Sequence, residues 1–230
     1  MFEYQLKRSA RRKTVAIKVS QKLVTVYAPT HVPKLQIEQW LFSKKEWVTA
    51  QLHKQLNAID TQQHPFKNQQ IMVFAKPYTI TFAKGTRSHV QQSDSEFTIY
   101  TSNRVKKQPE KRKQLLCLAL EETLTNYIEM RLAYYCQQMS EALPTKLTIG
   151  SYKRKWGSCN SRRELTFSLN LVGAPHRIID YVIVHELAHL KYLNHSSAFW
   201  KRVANFYPDY KSASAWLKNH GATLQWVFDN

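Results

Sequence analysis

The chain has 230 residues, of which 43% are hydrophobic and 12% aromatic, and this composition is sufficient for a folded core. Lys and Arg total 34 against 16 Asp and Glu, and the resulting net charge of +18 favours polyanionic or acidic partners. No stretch reaches the roughly 18 apolar residues of a membrane span, and residues 1–13 lack the apolar run of a secretory signal. We therefore expect a cytoplasmic protein without a membrane partner.

The amino-terminal part predicts strands and one helix. Alternating Val and Ile over residues 15–19, followed by two valines within 24–26, indicate a β-hairpin. Apolar residues at helical spacing predict one amphipathic helix over about 34–57. A Gln-rich loop at 61–70 follows. Three short apolar runs then predict a small sheet, with strands at 71–74, 78–82 and 97–100.

The carboxyl-terminal part has a different pattern, dominated by helices. Leu and Ile at every fourth position predict a long helix that begins near Pro109 and ends before Pro144. Two strands are predicted at 146–149 and 165–170, joined through a segment whose turn formers lie at 157–160. Three further helices are predicted at 176–191, about 196–206 and about 210–219.

The helix predicted at 176–191 contains the motif His185-Glu186-Leu187-Ala188-His189. Residues four apart lie one turn apart on the same helix face, so the imidazoles of His185 and His189 can bind one metal ion. Glu186 lies about 100° around the helix axis from His185. Neutral imidazole nitrogens suit Zn²⁺, whose fourth position is left to water when a third protein ligand is present.

His195 is the candidate for that third ligand. On a straight helix it would lie roughly 9 Å beyond His189, too far to share one ion, so the helix must end or turn between them. Asn194 tolerates the left-handed backbone conformation that such a turn can use. Metzincin proteases have the same histidine spacing, but Tyr192 stands where their glycine does, and we expect a different bend.

Three segments carry a resemblance to a known family: RKWGSC at 154–159, LNLVGAPHRIIDYVIVHELAHL at 169–190 and NHSSAFW at 194–200. Over about residues 145–207 the chain closely resembles the YgjP-like metallopeptidase domain, which is related to the SprT and WLM zinc proteases. RSARR at 8–12 and the valine-rich hairpin after it are also similar to that family. The resemblance implies a zincin-like fold.

The resemblance also implies roles for the motif residues. His185, His189 and His195 would be the zinc ligands and Glu186 the catalytic base. We predict an α+β protein with an amino-terminal strand-rich region at 1–104 and a zincin-like metallopeptidase core at 105–230. These regions form either two domains or one integrated domain.

The predicted chemistry is metal-assisted hydrolysis of a peptide bond. Zn²⁺ lowers the pKa of its bound water and polarises the scissile carbonyl, while Glu186 takes the proton and passes it to the leaving amine. The strand at 165–170 precedes the motif helix and is our candidate for pairing with an extended peptide. Tyr192 and His220 are candidates for stabilising the oxyanion, although a structural role is open for each.

Two other functions remain open. A basic segment near the motif contains Lys153, Arg154, Lys155, Arg162 and Arg163, which can contact nucleic-acid phosphates or form a solvated basic face. Some SprT-like proteins act on DNA-bound proteins, which adds a nucleic-acid partner as a hypothesis. A zinc hydrolase of a non-peptide amide is the other alternative. A purely structural zinc site would not need Glu186 and would normally have Cys or His as its fourth ligand.

The remaining candidates are aromatic residues and cysteines. Trp156 is a candidate for stacking on a nucleic-acid base. Alternatively, residues 156–159 form either a wall of the cleft or a packed turn beneath it. Cys159 as a nucleophile would need a base other than the metal-binding histidines. Cys117 and Cys136 lie in a helical pattern and are expected to act as small hydrophobes. Phe199 and Trp200 are expected to hold His195 in place.

Overall fold

The protein has an α+β fold, as the sequence predicts. The structure, a computed structural model, gives among the residues that it describes ten β-strands, six α-helices and two short 3-10 helices. The structure describes residues 2–20, 23–60, 62–152 and 154–228, except for the side chains of residues 53–60. Within these segments no helix combines the length and the apolar character needed to cross a membrane.

The chain divides into two compact units, Met1–Thr61 and Gln62–Asn230. The boundary that we predict after residue 104 lies inside the second unit, where the long helix α3 (Gln108–Met139) packs against the preceding strand β7 (Glu96–Ser102). The strands between residues 62 and 104 and the helices downstream of residue 104 therefore belong to the same unit.

The first unit contains a three-stranded sheet in the order β1-β3-β2. Its strands are β1 (Tyr4–Ser9), β2 (Ala16–Ser20) and β3 (Leu23–Pro29). The antiparallel pairing of β2 with β3 confirms the predicted hairpin, although residues 21 and 22 of its turn lie outside the described residues. The sequence did not predict β1, because it has no β-branched residue and pairs in parallel with a strand distant in sequence.

The helix predicted at 34–57 is divided into α1 (Lys34–Ser43) and α2 (Lys45–Asp60). The single-helix prediction is therefore wrong at Lys44, whose φ of −104° and ψ of 7° depart from helical values. The hydroxyl of Ser43 donates to the carbonyl oxygen of Trp40 at 2.8 Å. Side-chain bonds of this kind compete with the helical backbone pattern, which accounts for a break at this point.

The second unit begins with a four-stranded sheet in the order β4-β5-β7-β6. Strands β4 (Gln70–Val73) and β5 (Lys76–Gly85), together with β7, confirm the three predicted strands, and β6 (His89–Gln92) is additional. Helix α3 confirms the predicted long helix and ends before Pro144, at Ser140 with its φ of 53°. The apolar residues at every fourth position of α3 are all buried: Leu116, Leu120, Leu124, Ile128 and Leu132.

A small sheet with the order β8-β10-β9 follows α3. It consists of β8 (Lys146–Gly150), β9 (Gly157–Cys159) and β10 (Glu164–Ser168). Residues 157–159 form a strand rather than the predicted turn, because they pair antiparallel with β10. The strand predicted at 165–170 ends at Ser168, after which Leu169–Gly173 form a 3-10 helix.

Three helices complete the second unit: α4 (His176–Ala188), α5 (Ser197–Phe206) and α6 (Tyr210–His220). The lengths of α5 and α6 agree with the predictions, whereas α4 ends three residues earlier than predicted. Helix α4 packs against α3, α5, α6 and β9, so most of its surface is covered. This central position explains its almost continuous run of apolar residues.

Candidate metal centre

Three histidines meet at the end of α4. A ligand nitrogen from each of His185, His189 and His195 lies within 4.8 Å of the other two. Nε2 of His185 and Nε2 of His195 are 3.1 Å apart. For a tetrahedral ion with Zn–N bonds of about 2.0–2.1 Å, neighbouring ligand nitrogens are separated by roughly 3.3 Å. The structure therefore brings together the three histidines singled out in the sequence, and the distance between Nε2 of His185 and Nε2 of His195 is close to that expected for two ligands of one metal ion.

A backbone hydrogen bond orients one of these rings. Nδ1 of His189 lies 2.9 Å from the carbonyl oxygen of Tyr192, a distance at which the ring N–H donates to that oxygen. With Nδ1 used in this bond, Nε2 is the nitrogen of His189 that remains available to a metal ion, an arrangement that is common for metal-binding histidines. The buried Nδ1 of His185 has no hydrogen-bond partner among the described residues.

The chain reaches His195 through a tight turn directly after α4. The helix ends at Ala188, and the next residues make short backbone bonds, including one from Lys191 N–H to the Ala188 carbonyl oxygen at 3.2 Å. The predicted left-handed conformation of Asn194 is wrong, because its φ is not positive. Ser196 then caps α5, its hydroxyl accepting from the Phe199 N–H at 3.4 Å.

Phe199 lies beneath all three imidazoles. Its fully buried ring has centroid distances of 4.9, 4.5 and 4.7 Å to His185, His189 and His195, respectively. Trp200 stacks on His195 with ring centroids 5.6 Å apart. These contacts agree with the expectation that the two aromatic residues of α5 hold the third histidine in place.

Glu186 is buried beside the histidines, with 5% of its surface exposed. Strand β9 passes so close that a Cβ atom at Gly157 would lie 2.6 Å from Oε1 of Glu186. The absence of a side chain at Gly157 therefore creates the space that the carboxyl group occupies. The sequence indicates this residue only as a turn former, since the approach of β9 to α4 is a tertiary contact.

Burial disfavours charge on two groups of the centre. It raises the pKa of Glu186 to about 8, an effect opposed by the positive charge of Lys155. Burial, followed by repulsion from His189 and His195, lowers the pKa of His185 to about 3. His189 also has a lowered pKa, chiefly because of burial. A neutral imidazole with a free lone pair is the form that binds a metal ion.

A cavity of about 290 Å³ opens in front of the histidines. It is bordered by β9, by the end of α4 and by Leu193, whose side chain is 79% exposed. Cys159 also borders this cavity, but burial raises the pKa of its thiol and disfavours the nucleophilic thiolate. The segment 157–159 thus forms a wall of the cleft, which agrees with one of the two expected arrangements.

The two candidate oxyanion groups have other contacts. The ring of His220 stacks on Trp216 at a centroid distance of 4.8 Å, and its Nδ1 is 3.0 Å from the Trp216 carbonyl oxygen. Tyr192 contributes its backbone carbonyl to His189, while its partly buried side chain packs against the core. Neither residue lines the cavity in front of the histidines.

The basic segment near the motif is partly neutralised. Arg163 lies 3.9 Å from a carboxylate oxygen of Glu141 and donates to the Ala142 carbonyl oxygen, and Arg162 pairs with Glu164 at 3.2 Å. The ammonium group of Lys155 donates to the Ser158 hydroxyl at 2.8 Å.

The other members of the basic segment lie apart from these pairs. Arg154 is exposed, and Lys153 lies outside the described residues. Trp156 packs against Gly221, where a Cβ atom would lie 2.6 Å from the indole ring. One edge of the indole ring is thus used in packing.

The geometry of three imidazoles beside a buried carboxylate is that of a candidate metal centre for hydrolysis. The family model described as "YgjP-like, metallopeptidase domain" matches residues 13–220. The chain therefore belongs to the YgjP-like metallopeptidase family, which confirms the resemblance of its motifs. Membership in a peptidase family implies peptide or protein substrates.

The solved structures include one similar chain, the metallopeptidase zymogen of Pyrococcus abyssi abylysin. The two sequences are 23% identical, and the similarity covers 40% of this chain and 93% of that one, with a TM-score of 0.37. No curated protein matches the chain.

Proposed function

We propose that this protein is a zinc-dependent metallopeptidase that cleaves peptide bonds of its substrate, and that residues 105–230 of the second unit form its zincin-like core. The observation that carries the proposal is the convergence of three imidazole nitrogens within 4.8 Å of one another, next to the carboxyl group of Glu186. Three neutral nitrogen donors leave a tetrahedral zinc ion one position for water, as in catalytic rather than structural sites. The proposed ligands are His185, His189 and His195.

The proposed hydrolysis uses the metal ion and Glu186. A zinc ion held by the three histidines would lower the pKa of a coordinated water and polarise the substrate carbonyl. The carboxylate of Glu186 accepts the proton of the attacking water and delivers it to the amine nitrogen that leaves. Positive charge from Lys155 and from a cation at the histidines favours the ionised form of this carboxylate.

An extended peptide is proposed to pair with β9 rather than with the strand predicted from the sequence. Strand β10 lies between β8 and β9, so both of its edges are already paired and it has none left for a substrate. Strand β9 is at the edge of this sheet and borders the cavity in front of the histidines. Backbone pairing at such an edge holds a peptide largely independently of its side chains.

The two alternative functions have less support. The ion pairs of Arg162 and Arg163 and the packing of Trp156 reduce the basic and aromatic surface that a nucleic acid would need. A non-peptide amide would be hydrolysed by the same groups, but the edge strand beside the cleft favours an extended backbone as substrate.

The proposal is tested by measuring metal content and peptide cleavage on the same samples. We expect about one zinc per chain in the wild type and in Glu186→Gln, because the substituted residue is not a ligand. Cleavage of a proteome-derived peptide mixture should fall by roughly a thousandfold in Glu186→Gln. Glu129→Gln, on the exposed face of α3, is the matched control and should cleave normally.

Two results would reject parts of this assignment. Undiminished turnover by Glu186→Gln would exclude Glu186 as the base. A folded wild-type protein that takes up no zinc, or that takes it up equally well after His195→Ala, would exclude the proposed ligand set.

A further inference from the structure

A second cavity, of about 340 Å³, also borders Glu186. The two cavities share Gly157, His185 and Glu186, so the second one opens at the proposed reaction centre. We call it the side pocket. Its remaining walls come mainly from six residues: Lys155, Trp156, Tyr181, Val182, Leu217 and Lys218.

Packing fixes the walls of the side pocket. The indole of Trp156 lies against Gly221, and its carbonyl oxygen accepts from the Ser168 N–H at 2.8 Å. Tyr181 and Leu217 are 5% and 8% exposed, so each is held by the core behind the pocket. The pocket is therefore a stable feature of the fold, formed by the start of β9, by α4 and by α6.

Two lysines from distant parts of the sequence line this pocket. Lys155 precedes β9 and Lys218 lies in the last turn of α6. Among the lining residues the one carboxyl group is that of Glu186, at the end shared with the reaction centre. Two positively charged side chains that border one cavity make its electrostatic potential more positive, which favours an anionic occupant.

Both ammonium groups retain free donors. Lys155 uses one N–H to bond Ser158 and lies 4.4 Å from the ring centroid of Tyr152, and an ammonium group has three donors in all. No hydrogen bond or ion pair joins Lys218 to another residue in the described part of the chain. The favourable interaction of a cation with the helix dipole explains a lysine at 218, in the last turn of α6. It does not explain why a second lysine, Lys155, borders the same pocket.

We propose that the side pocket binds a carboxylate of the substrate close to the bond that is cleaved. This inference rests on the proposed peptidase function and specifies its substrate class. The carboxylate comes either from an Asp or Glu side chain or from the free carboxyl terminus of a peptide. The apolar walls formed by Trp156, Val182 and Leu217 suit the aliphatic stem or side chain that accompanies it.

Binding to the Glu186→Gln variant tests the inference without requiring cleavage. The ligands are fluorescently labelled pools of hexapeptides. Each pool has Glu, Gln or Lys at one fixed position, and this position is moved along the peptide from pool to pool. Each pool is made with a free carboxyl terminus and with an amidated one. Anisotropy is measured with and without added Zn²⁺. We expect one of two results. Either the Glu pool binds about fivefold more tightly than the Gln pool at one position, or the peptides with a free carboxyl terminus bind about fivefold more tightly than the amides.

Charge reversal at the pocket supplies the specific control. Lys218→Glu should abolish the preference for the carboxylate and favour the Lys pool, whereas Lys211→Glu, two turns earlier on α6 and outside the pocket, should retain it. Both lysines are exposed, so neither variant disturbs the core, and circular dichroism verifies their fold. A preference for side-chain Glu identifies an acidic residue as the ligand, and a preference for free acids identifies the peptide terminus.

Equal binding of all pools, or an unchanged preference in Lys218→Glu, would overturn the inference. Cleavage of the same pools by the wild type reports separately on the proposed function. A protein that cleaves without any preference for carboxylates would contradict only the assignment of the side pocket.

Discussion

Gly157 leaves no room for a side chain beside Glu186. A Cβ atom there would approach three atoms of the Glu186 side chain at 2.6 to 2.9 Å, below the separation of ordinary contacts. Because Glu186 is buried, relief of this overlap would displace its carboxyl group from the position that it now occupies. The position of the proposed base thus depends on a residue that takes no part in the chemistry.

We expect Gly157→Ala to lower peptide cleavage by on the order of a hundredfold, because a displacement of about 1 Å at a reacting group has an effect of that size. Overpacking should also reduce the free energy of unfolding by about 1–3 kcal/mol. Steady-state cleavage, zinc content and urea unfolding measure these effects. Gly85→Ala is the control, since its Cβ would meet a backbone oxygen at 3.1 Å far along the chain from the motif. Normal turnover by Gly157→Ala would contradict the argument.

At the scale of elements, α4 is fixed to α3 through one buried carboxylate. The Asp180 side chain of α4 accepts hydrogen bonds from three residues of α3: Tyr127, Arg131 and Tyr135. The guanidinium group of Arg131 binds both oxygens, at 2.9 and 2.7 Å. Burial and the nearby negative charge of Asp180 raise the pKa of Tyr135 to about 12, so this tyrosine remains a neutral donor. The network sets the position of the helix that carries His185.

Removing the cation of this network should destabilise the second unit. We expect Arg131→Met to lower the free energy of unfolding by roughly 2–3 kcal/mol, less than for a fully buried pair because the Arg131 side chain is 25% exposed. Urea unfolding followed by circular dichroism measures the change. Lys111→Met, at a partly exposed position of α3 whose side-chain hydrogen bond to Gln114 is exposed, should change stability by less than about 0.5 kcal/mol. Equal stabilities of the two variants would show that the network does not hold α4.

At the scale of the whole molecule, the proposed ion joins segments that the chain brings together only when folded. His185 lies in α4, His189 directly follows its last residue, and His195 lies two residues before the start of α5. An ion bound by all three stabilises the folded state because the unfolded chain does not hold the three rings at this spacing. Burial lowers the pKa of His185 and keeps its imidazole in the neutral form that binds a metal ion.

Removal of the metal should therefore lower thermal stability. With free zinc at about a thousand times its dissociation constant, binding contributes about 4 kcal/mol, equivalent to roughly 10 °C in melting temperature for a unit of this size. Differential scanning calorimetry before and after chelation measures the shift. His195→Ala should reduce the shift strongly, whereas Glu186→Gln should preserve it. An unchanged melting temperature after chelation would contradict metal binding at this centre.

The sequence by itself determined the features that depend on local spacing. The interval of four residues between His185 and His189 fixes a shared helix face, because it follows from the helical repeat alone. The long apolar periodicity of α3 and the lengths of α5 and α6 were predictable for the same reason. The motif segments at 154–200 also sufficed for the family, which the match over residues 13–220 confirms.

Only the tertiary structure decided which distant residues meet. Pairing with β10 makes a strand of residues 157–159, and that pairing leaves β9, not β10, as the open edge beside the cleft. Because α4 ends at Ala188, the chain can turn and place Nε2 of His195 3.1 Å from Nε2 of His185. Asn194 does not adopt a left-handed backbone conformation in this turn. Likewise, Lys155 and Lys218 line one pocket although 62 residues lie between them in the sequence. These contacts depend on strand register and helix packing, which arise from the whole chain and leave no periodic signal in the sequence.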